Sequence, residues 1–319
     1  MLRQTVLAAA LLLALAGPSA AAPPTLPAGD TGIASRYVGD VNITNDPAVL
    51  FFDGFDSYTS NSQLTSSGNW SNFFQNSNIL LDTSQYATGA KSIRLRMPST
   101  GSEVSNAIVK TINPGRDTLF LRAYTKFAPN YAGINSAHNG LRISANYTGP
   151  GTKPNGRNFM LVELQQVDYG EGSPGKTHIY VYHPEQKDNY GENWYPSGRT
   201  TNGDGPDGKF GPHFVARPET IPPRGQWICF ELMVQLNTVG QRDGRVAVWQ
   251  DGTLIADWQN IRFRDSTSVR LDEIQLENGG QRSTQINDKW YDNVVVATSY
   301  IGPISMQPSL PAPKNLRIQ

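Results

Sequence analysis

Phe159-Met-Leu-Val-Glu-Leu-Gln165 and His178-Ile-Tyr-Val-Tyr-His183 decide the fold class. Met160, Val162 and Leu164 place apolar side chains at every second position of the first stretch, and Ile179 and Val181 do so in the second. Successive side chains of a strand point to opposite faces, so each stretch has one face for a core and one for water or a ligand. Glu163 and Gln165 share the polar face of the first, and His178, Tyr180 and Tyr182 that of the second. The alternation recurs at 92–97, 119–127, 228–236, 246–249, 269–276 and 290–297. It turns Phe230, Leu232, Val234 and Leu236 inward and Glu231 and Gln235 outward; later, Ile274 and Leu276 point inward, Glu273 and Gln275 outward. Thirty glycines and 22 prolines punctuate these segments, and Asp243-Gly244 and Asp251-Gly252 read as hairpin turns. Many short strands at such spacing predict an all-β antiparallel sandwich or jelly roll.

The rest of the chain arranges itself around that domain. Arg3, an apolar run over 6–16 and small residues to Ala22 read as a signal peptide, 1–22, too short in its apolar core to span a bilayer, which takes roughly 20 residues. A secreted protein, extracellular or periplasmic, is expected, with no membrane anchor. The Pro-rich start of 23–47 reads as a spacer, 48–304 as one jelly-roll domain and 305–319 as a tail. With 27 basic and 27 acidic residues and no basic stripe, nothing favours nucleic acid; a polysaccharide is the expected partner and a monomer the expected state. The lone Cys229 lies in an apolar run, which reads as an inert buried thiol. The stretch 184–223, rich in Gly, Asn, Asp and Pro, is too long for a connector and reads as a functional loop.

The polar faces offer Glu, Gln, His and Tyr, the mixture that binds sugar hydroxyls and stacks on sugar rings. His138, one of four histidines, precedes Leu141-Arg-Ile143 and has the pKa to exchange protons near neutrality. With Tyr180, and with Arg142 to neutralise charge, it could remove the acidic proton beside a uronate carboxylate and protonate the leaving oxygen. His178 is a further candidate for proton transfer; Glu163, Gln165, Tyr182 and Gln275 join Arg142 as candidate sugar-binding residues. Two other readings stand: a lectin-like protein stacking Tyr180, Tyr182, Trp194 and Tyr195 on sugars, and a glycoside hydrolase using Glu163 and Glu231. Zinc is poorly supported, since His178 and His183 point to opposite faces. Asp56 in Phe51-Phe-Asp-Gly-Phe-Asp56 and Asp292 in Trp290-Tyr-Asp-Asn293 sit on terminal strands and are candidate ligands of one structural calcium ion, with no cofactor required for catalysis.

The order of Leu50-Phe-Phe-Asp-Gly-Phe-Asp-Ser-Tyr58, Thr118-Leu-Phe-Leu-Arg-Ala-Tyr-Thr-Lys-Phe127, His138-Asn-Gly140, Gly225-Gln-Trp-Ile-Cys-Phe-Glu231 and Trp290-Tyr-Asp-Asn-Val-Val-Val-Ala297 resembles that of concanavalin A-like jelly rolls. Over about 48–304 the chain is similar to polysaccharide lyase families 14 and 20, the alginate and glucuronan lyases, and to the fungal cellulose-induced proteins of that fold. The resemblance implies a cleft, eliminative cleavage of uronate chains by His and Tyr, and in some members a structural calcium. Tyr180 and Tyr182 match the family's tyrosine-bearing cleft strand, and Gln275-Leu-Glu-Asn-Gly-Gly280 its stretch ending in paired glycines. Glu163 stands where the lyases carry an arginine, and a carboxylate there repels a uronate unless it is protonated or paired. The 184–223 stretch has no counterpart in the lyases.

Overall fold

The computed structural model of the protein describes residues 22–134 and 137–306. The segment read as a signal peptide lies outside the described residues but for Ala22, as does the tail beyond Met306. Alternating segments become strands because each can bury one face only against another sheet. Two antiparallel sheets result, as the spacing predicts.

The first sheet runs, in spatial order, Thr253–Ile261, Gly244–Gln250, Trp227–Gln235, Thr118–Phe127, Asn287–Ala297, Ser92–Met97 and Ile79–Asp82, with Val49–Asp53 also pairing with Asn287–Ala297. The second, here the cleft sheet, runs Thr200–Thr201, Glu192–Trp194, Lys176–Tyr182, Met160–Val167, Leu141–Ala145, Leu271–Glu277, Ala107–Arg116 and Asn72–Phe74. The inward set of every strand meets in one core: Val162, Leu164, Ile179, Val181, Ile274 and Leu276 from the cleft sheet, Phe230, Leu232, Val234 and Val248 from the first. A short helix, Asn61–Ser66, is capped by Ser60, whose hydroxyl accepts from the Gln63 N–H at 3.1 Å.

The segment expected as a spacer is instead part of the fold. Residues 24–47 lie across the far face of the first sheet, where Ile33, Ala34 and Ile43 pack on Phe120, Met233, Trp249 and Val295 in a second apolar cluster. Pro24 O accepts from Arg245 and Pro27 O from the Trp249 indole, both at 2.8 Å. Asp40 forms a fully buried ion pair with Arg122, whose guanidinium also donates to Gly302 O at 3.2 Å and Asn293 O at 3.1 Å. The proline-rich composition looked like a linker because the apolar face it covers belongs to strands far away in sequence.

That cover also overturns the exposure expected of Glu231. Its carboxylate is buried beneath residues 301–302, which pack with the 24–47 strap, and accepts from the N–H groups of Ile301 and Gly302 at 2.8 Å each. Glu163 is on the other sheet, so the two acids do not face one cleft, and the hydrolase pair is removed. Cys229 is buried on the strap side, and burial pushes its thiol well up.

The 184–223 stretch extends the cleft sheet by two short strands. Its fold is tied by the buried Glu192 carboxylate, which takes His183 Nε2 at 3.2 Å, the Trp194 indole N–H at 3.0 Å and the N–H groups of Gly205 at 2.9 Å and Lys187 at 3.1 Å. A Cβ at Gly203 would lie 1.9 Å from the same carboxylate, so only glycine closes the knot. Trp194 is thereby fully buried in the core and Tyr195 fully buried against His178, so neither can stack on a sugar as the lectin-like reading required. Among the described residues, no helix is long and apolar enough to cross a membrane.

Candidate functional site

Strand register lines the polar residues up in a row across the outward side of the cleft sheet. Asn193 is opposite Tyr180, Tyr180 opposite Glu163, Glu163 opposite Arg142, and Arg142 opposite Gln275. Two residues along the strands, His178 is opposite Gln165. The row therefore follows from the period of two plus the pairing order of five strands, the last of them far from the others in sequence.

His138 comes to this row from outside the sheet. It sits on the two-residue strand Ala137–His138, paired with Gly279–Gly280. The chain then dives through Gly140, where a Cβ would meet Leu164 O at 1.5 Å, so a larger residue would push the histidine off the sheet. Asn139 fixes the corner by exchanging two hydrogen bonds with the backbone of Gln166, at 2.9 and 2.6 Å. From the opposite sheet Lys289 donates to Asn139 O, and Tyr291 donates to Glu277 O at 2.5 Å.

His138 Nδ1 is 2.8 Å from Glu163 Oε2, and its ring, half open to solvent, meets the Tyr180 ring edge-on at 5.7 Å between centroids. Tyr180 accepts from the Gly191 N–H at 2.9 Å and donates to the Tyr182 hydroxyl at 3.4 Å. Arg142 pairs with Glu277 at 3.0 Å and lies 5.2 Å from the Tyr147 ring. Together these groups line a cleft of about 560 Å³, walled by Tyr147, Pro150 and Tyr190 at one side and Phe74, Glu103 and Gln281 at the other.

The electrostatics follow from burial and pairing. Burial opposes charge on the His138 imidazole, but the Glu163 carboxylate beside it prevails and pushes the pKa up to about 9. Burial lifts the Glu277 carboxyl to about 7, with Arg142 pulling it down and Glu163 pushing it up. Burial also lowers Lys289 to about 7, against the attraction of Glu163. The Tyr180 and Tyr147 phenols are pushed well up, chiefly by burial, and stay neutral.

Several expected residues meet here: His138, Tyr180, Tyr182, Arg142 and Gln275 line the cleft, with Glu163 directly behind His138. Two expectations change. His178 is fully buried, with Nδ1 on Lys176 O at 2.9 Å and Nε2 on Gln165 Nε2 at 3.1 Å. Burial drives its pKa down to about 4, so it is a neutral support with both nitrogens occupied, and it does not exchange protons with a substrate. Gln165, its partner, is likewise buried behind the cleft wall. Glu277, Tyr147 and Tyr190 were missed. Glu277 shares the parity of Gln275 and was legible from it; Tyr147 and Tyr190 lie in loops and carried no such signal.

The two expected calcium ligands, Asp56 and Asp292, both hold the 87–91 loop. Asp56 Oδ1 accepts from the N–H groups of Ala90 and Lys91 at 2.7 and 3.0 Å. Asp292 accepts from Ala87, Thr88 and Asn293 N–H at 2.7, 3.2 and 2.7 Å. Calcium takes six to eight converging oxygens; here the two carboxylates accept from backbone donors and so hold the 87–91 loop between the terminal strands. Among the described residues, His138, Glu163 and Glu277 do bring three ligand atoms within 4.8 Å of one another. There, the His138 proton already serves Glu163 and Arg142 already serves Glu277, so the charges balance without an ion.

The polysaccharide lyase 14 family model matches residues 172–289, the part of the chain that holds Tyr180, Tyr182, Gln275 and Glu277. The chain resembles polysaccharide lyase family 14. No curated protein matches. Among solved structures, the alginate lyase Aly36B superposes with a TM-score of 0.56 at 15% identity, covering 79% of this chain and 98% of that one. The alginate lyase of Aplysia kurodai gives 0.56 at 15%, covering 78% and 99%. The endo-β-1,4-glucuronan lyase of the fungus Trichoderma reesei gives 0.50 at 13%, covering 79% and 96%. At these identities the structures establish the jelly-roll fold, and the family match agrees with a lyase-like protein.

Proposed function

We propose that this is a secreted polysaccharide lyase that cleaves uronate-containing polysaccharide by β-elimination. The observation that carries the reading is the His138–Glu163 pair facing Tyr180 across one cleft. Glu163 accepts from Nδ1 and thereby fixes the tautomer in which Nε2 is the basic nitrogen, as a carboxylate does for a catalytic histidine. While His138 holds its proton, the imidazolium also offsets the Glu163 charge that would repel an incoming uronate.

With Arg142 and Gln275 holding the uronate carboxylate, neutral His138 takes the proton from C5 at Nε2. The electron pair forms the C4=C5 double bond as the C4–O4 bond breaks, and the Tyr180 phenol gives its proton to O4. The Gly191 N–H at the Tyr180 oxygen supports the negative charge that develops there. Proton return through water resets both groups.

The test follows ultraviolet absorbance and reducing ends together on glucuronan, alginate, deacylated gellan, xylan and cellulose. Wild type should raise both signals on a uronate polymer. Tyr180→Phe should lower kcat about 10² to 10⁴-fold, the usual weight of one general acid, while retention on the polymer persists. Reducing ends without absorbance would mean hydrolysis; silence in both channels with retention would mean a binding protein.

A further inference from the structure

Among the residues lining the cleft, the cations are His138 and Arg142, and each already has a carboxylate partner, Glu163 at 2.8 Å and Glu277 at 3.0 Å. The remaining ionisable acid on the wall is Glu103, which is negative and exposed. Apart from Glu103, the wall on either side of this centre carries no charged side chain. Phe74 and Tyr190 are 45% and 61% exposed, wide enough open to stack on a ring, and Ser105 and Gln281 offer a hydroxyl and an amide group.

Building on the lyase reading, we infer that the substrate is a heteropolysaccharide in which each backbone uronate is flanked by neutral sugars, and that a polymer with a carboxylate on every ring is a poor substrate. One carboxylate can be received at the centre. Arg142 meets Glu277 through one guanidinium nitrogen and has further N–H donors to offer the incoming anion. Carboxylates on the neighbouring rings have no such partner. They would leave water for aromatic and amide walls, with Glu103 repelling them, and an unpaired charge in such a place disfavours binding. Neutral rings suffer none of this and gain the aromatic faces.

The experiment compares deacylated gellan, with one glucuronate in four backbone sugars, and glucuronan, with one on every ring, at equal uronate concentration and low salt. The unsaturated product is read by absorbance. A kcat/KM at least about tenfold higher on gellan is expected, and equal or better use of glucuronan overturns the inference. Glu103→Lys supplies the missing flanking cation and should raise kcat/KM on glucuronan several-fold, in a salt-sensitive way; no change would count against the inference. Absence of unsaturated product on both polymers would instead overturn the lyase reading. Affinity electrophoresis of Tyr180→Phe in the same two gels then still decides the substrate class, with stronger retardation by gellan supporting it and stronger retardation by glucuronan refuting it.

Discussion

Glu163→Gln is the most informative single change, because it removes one charge and almost no volume from a fully buried position. In wild type the Glu163 carboxylate is the largest influence raising His138, which sits at about 9 against an ordinary 6.5. A base with a pKa of 9 is neutral in about one molecule in a hundred at pH 7 and in half at pH 9, so kcat/KM should climb roughly fifty-fold between them. With glutamine the hydrogen bond to Nδ1 can persist through its carbonyl, but burial then acts on the imidazole without the opposing carboxylate. The pKa should fall by one unit or more, the loss being tempered because the ring is half exposed. The variant's profile should therefore level off at least one pH unit earlier, on a plateau lowered by its weaker base. The assay is the initial rate of absorbance increase on a uronate polymer from pH 5 to 10. An independent readout is the His138 ring titration by NMR in both proteins, with circular dichroism confirming the fold. A wild-type profile flat from pH 6 to 9, or a variant profile that coincides with it, would refute the dyad.

Other outcomes follow from charges placed away from the cleft. Asp40→Asn leaves the fully buried Arg122 without its counter-ion, a change that destabilises by about 3 to 5 kcal/mol; thermal unfolding should drop by on the order of 10 °C, and an unchanged Tm would show that the strap over the first sheet is not anchored there. Stability should fall as pH rises from about 5 to 7. In that window Glu231, Glu277 and Asp292, each raised to about 7 by burial, hold protons that the unfolded chain has released. His178, lowered to about 4, works in the opposite direction there, and the lowered carboxylates such as Glu219 and Glu192 do so mainly below pH 5, so between pH 5 and 7 the three groups outweigh it; urea midpoints at pH 5 and 7 check the sign, and a higher midpoint at pH 7 would contradict it. Chelation with EDTA should leave Tm unchanged, since Asp56 and Asp292 serve backbone amides. A drop in wild type that disappears in Asp292→Ala would restore the calcium.

What the sequence determined by itself was everything carried by a period of two. The polar face of His178, Tyr180 and Tyr182, the polar face of Glu163 and Gln165, the inward set of 228–236 and the Asp251-Gly252 hairpin all lie as the alternation placed them. Pleating is local, so a few consecutive residues suffice to read it. What only the tertiary structure decided was the company each polar face keeps. Glu163 and Glu231 have the same kind of signature, yet one faces the cleft behind His138 and the other is sealed under residues 298–304 and the strap from the N-terminal side. His178 and Tyr180 share a face, yet one is walled in by Tyr195 and Gln165 and the other lines the cleft. Parity says which way a side chain points, but burial, charge pairing and hence pKa depend on which distant strand or loop arrives opposite it, and no local pattern encodes that arrival.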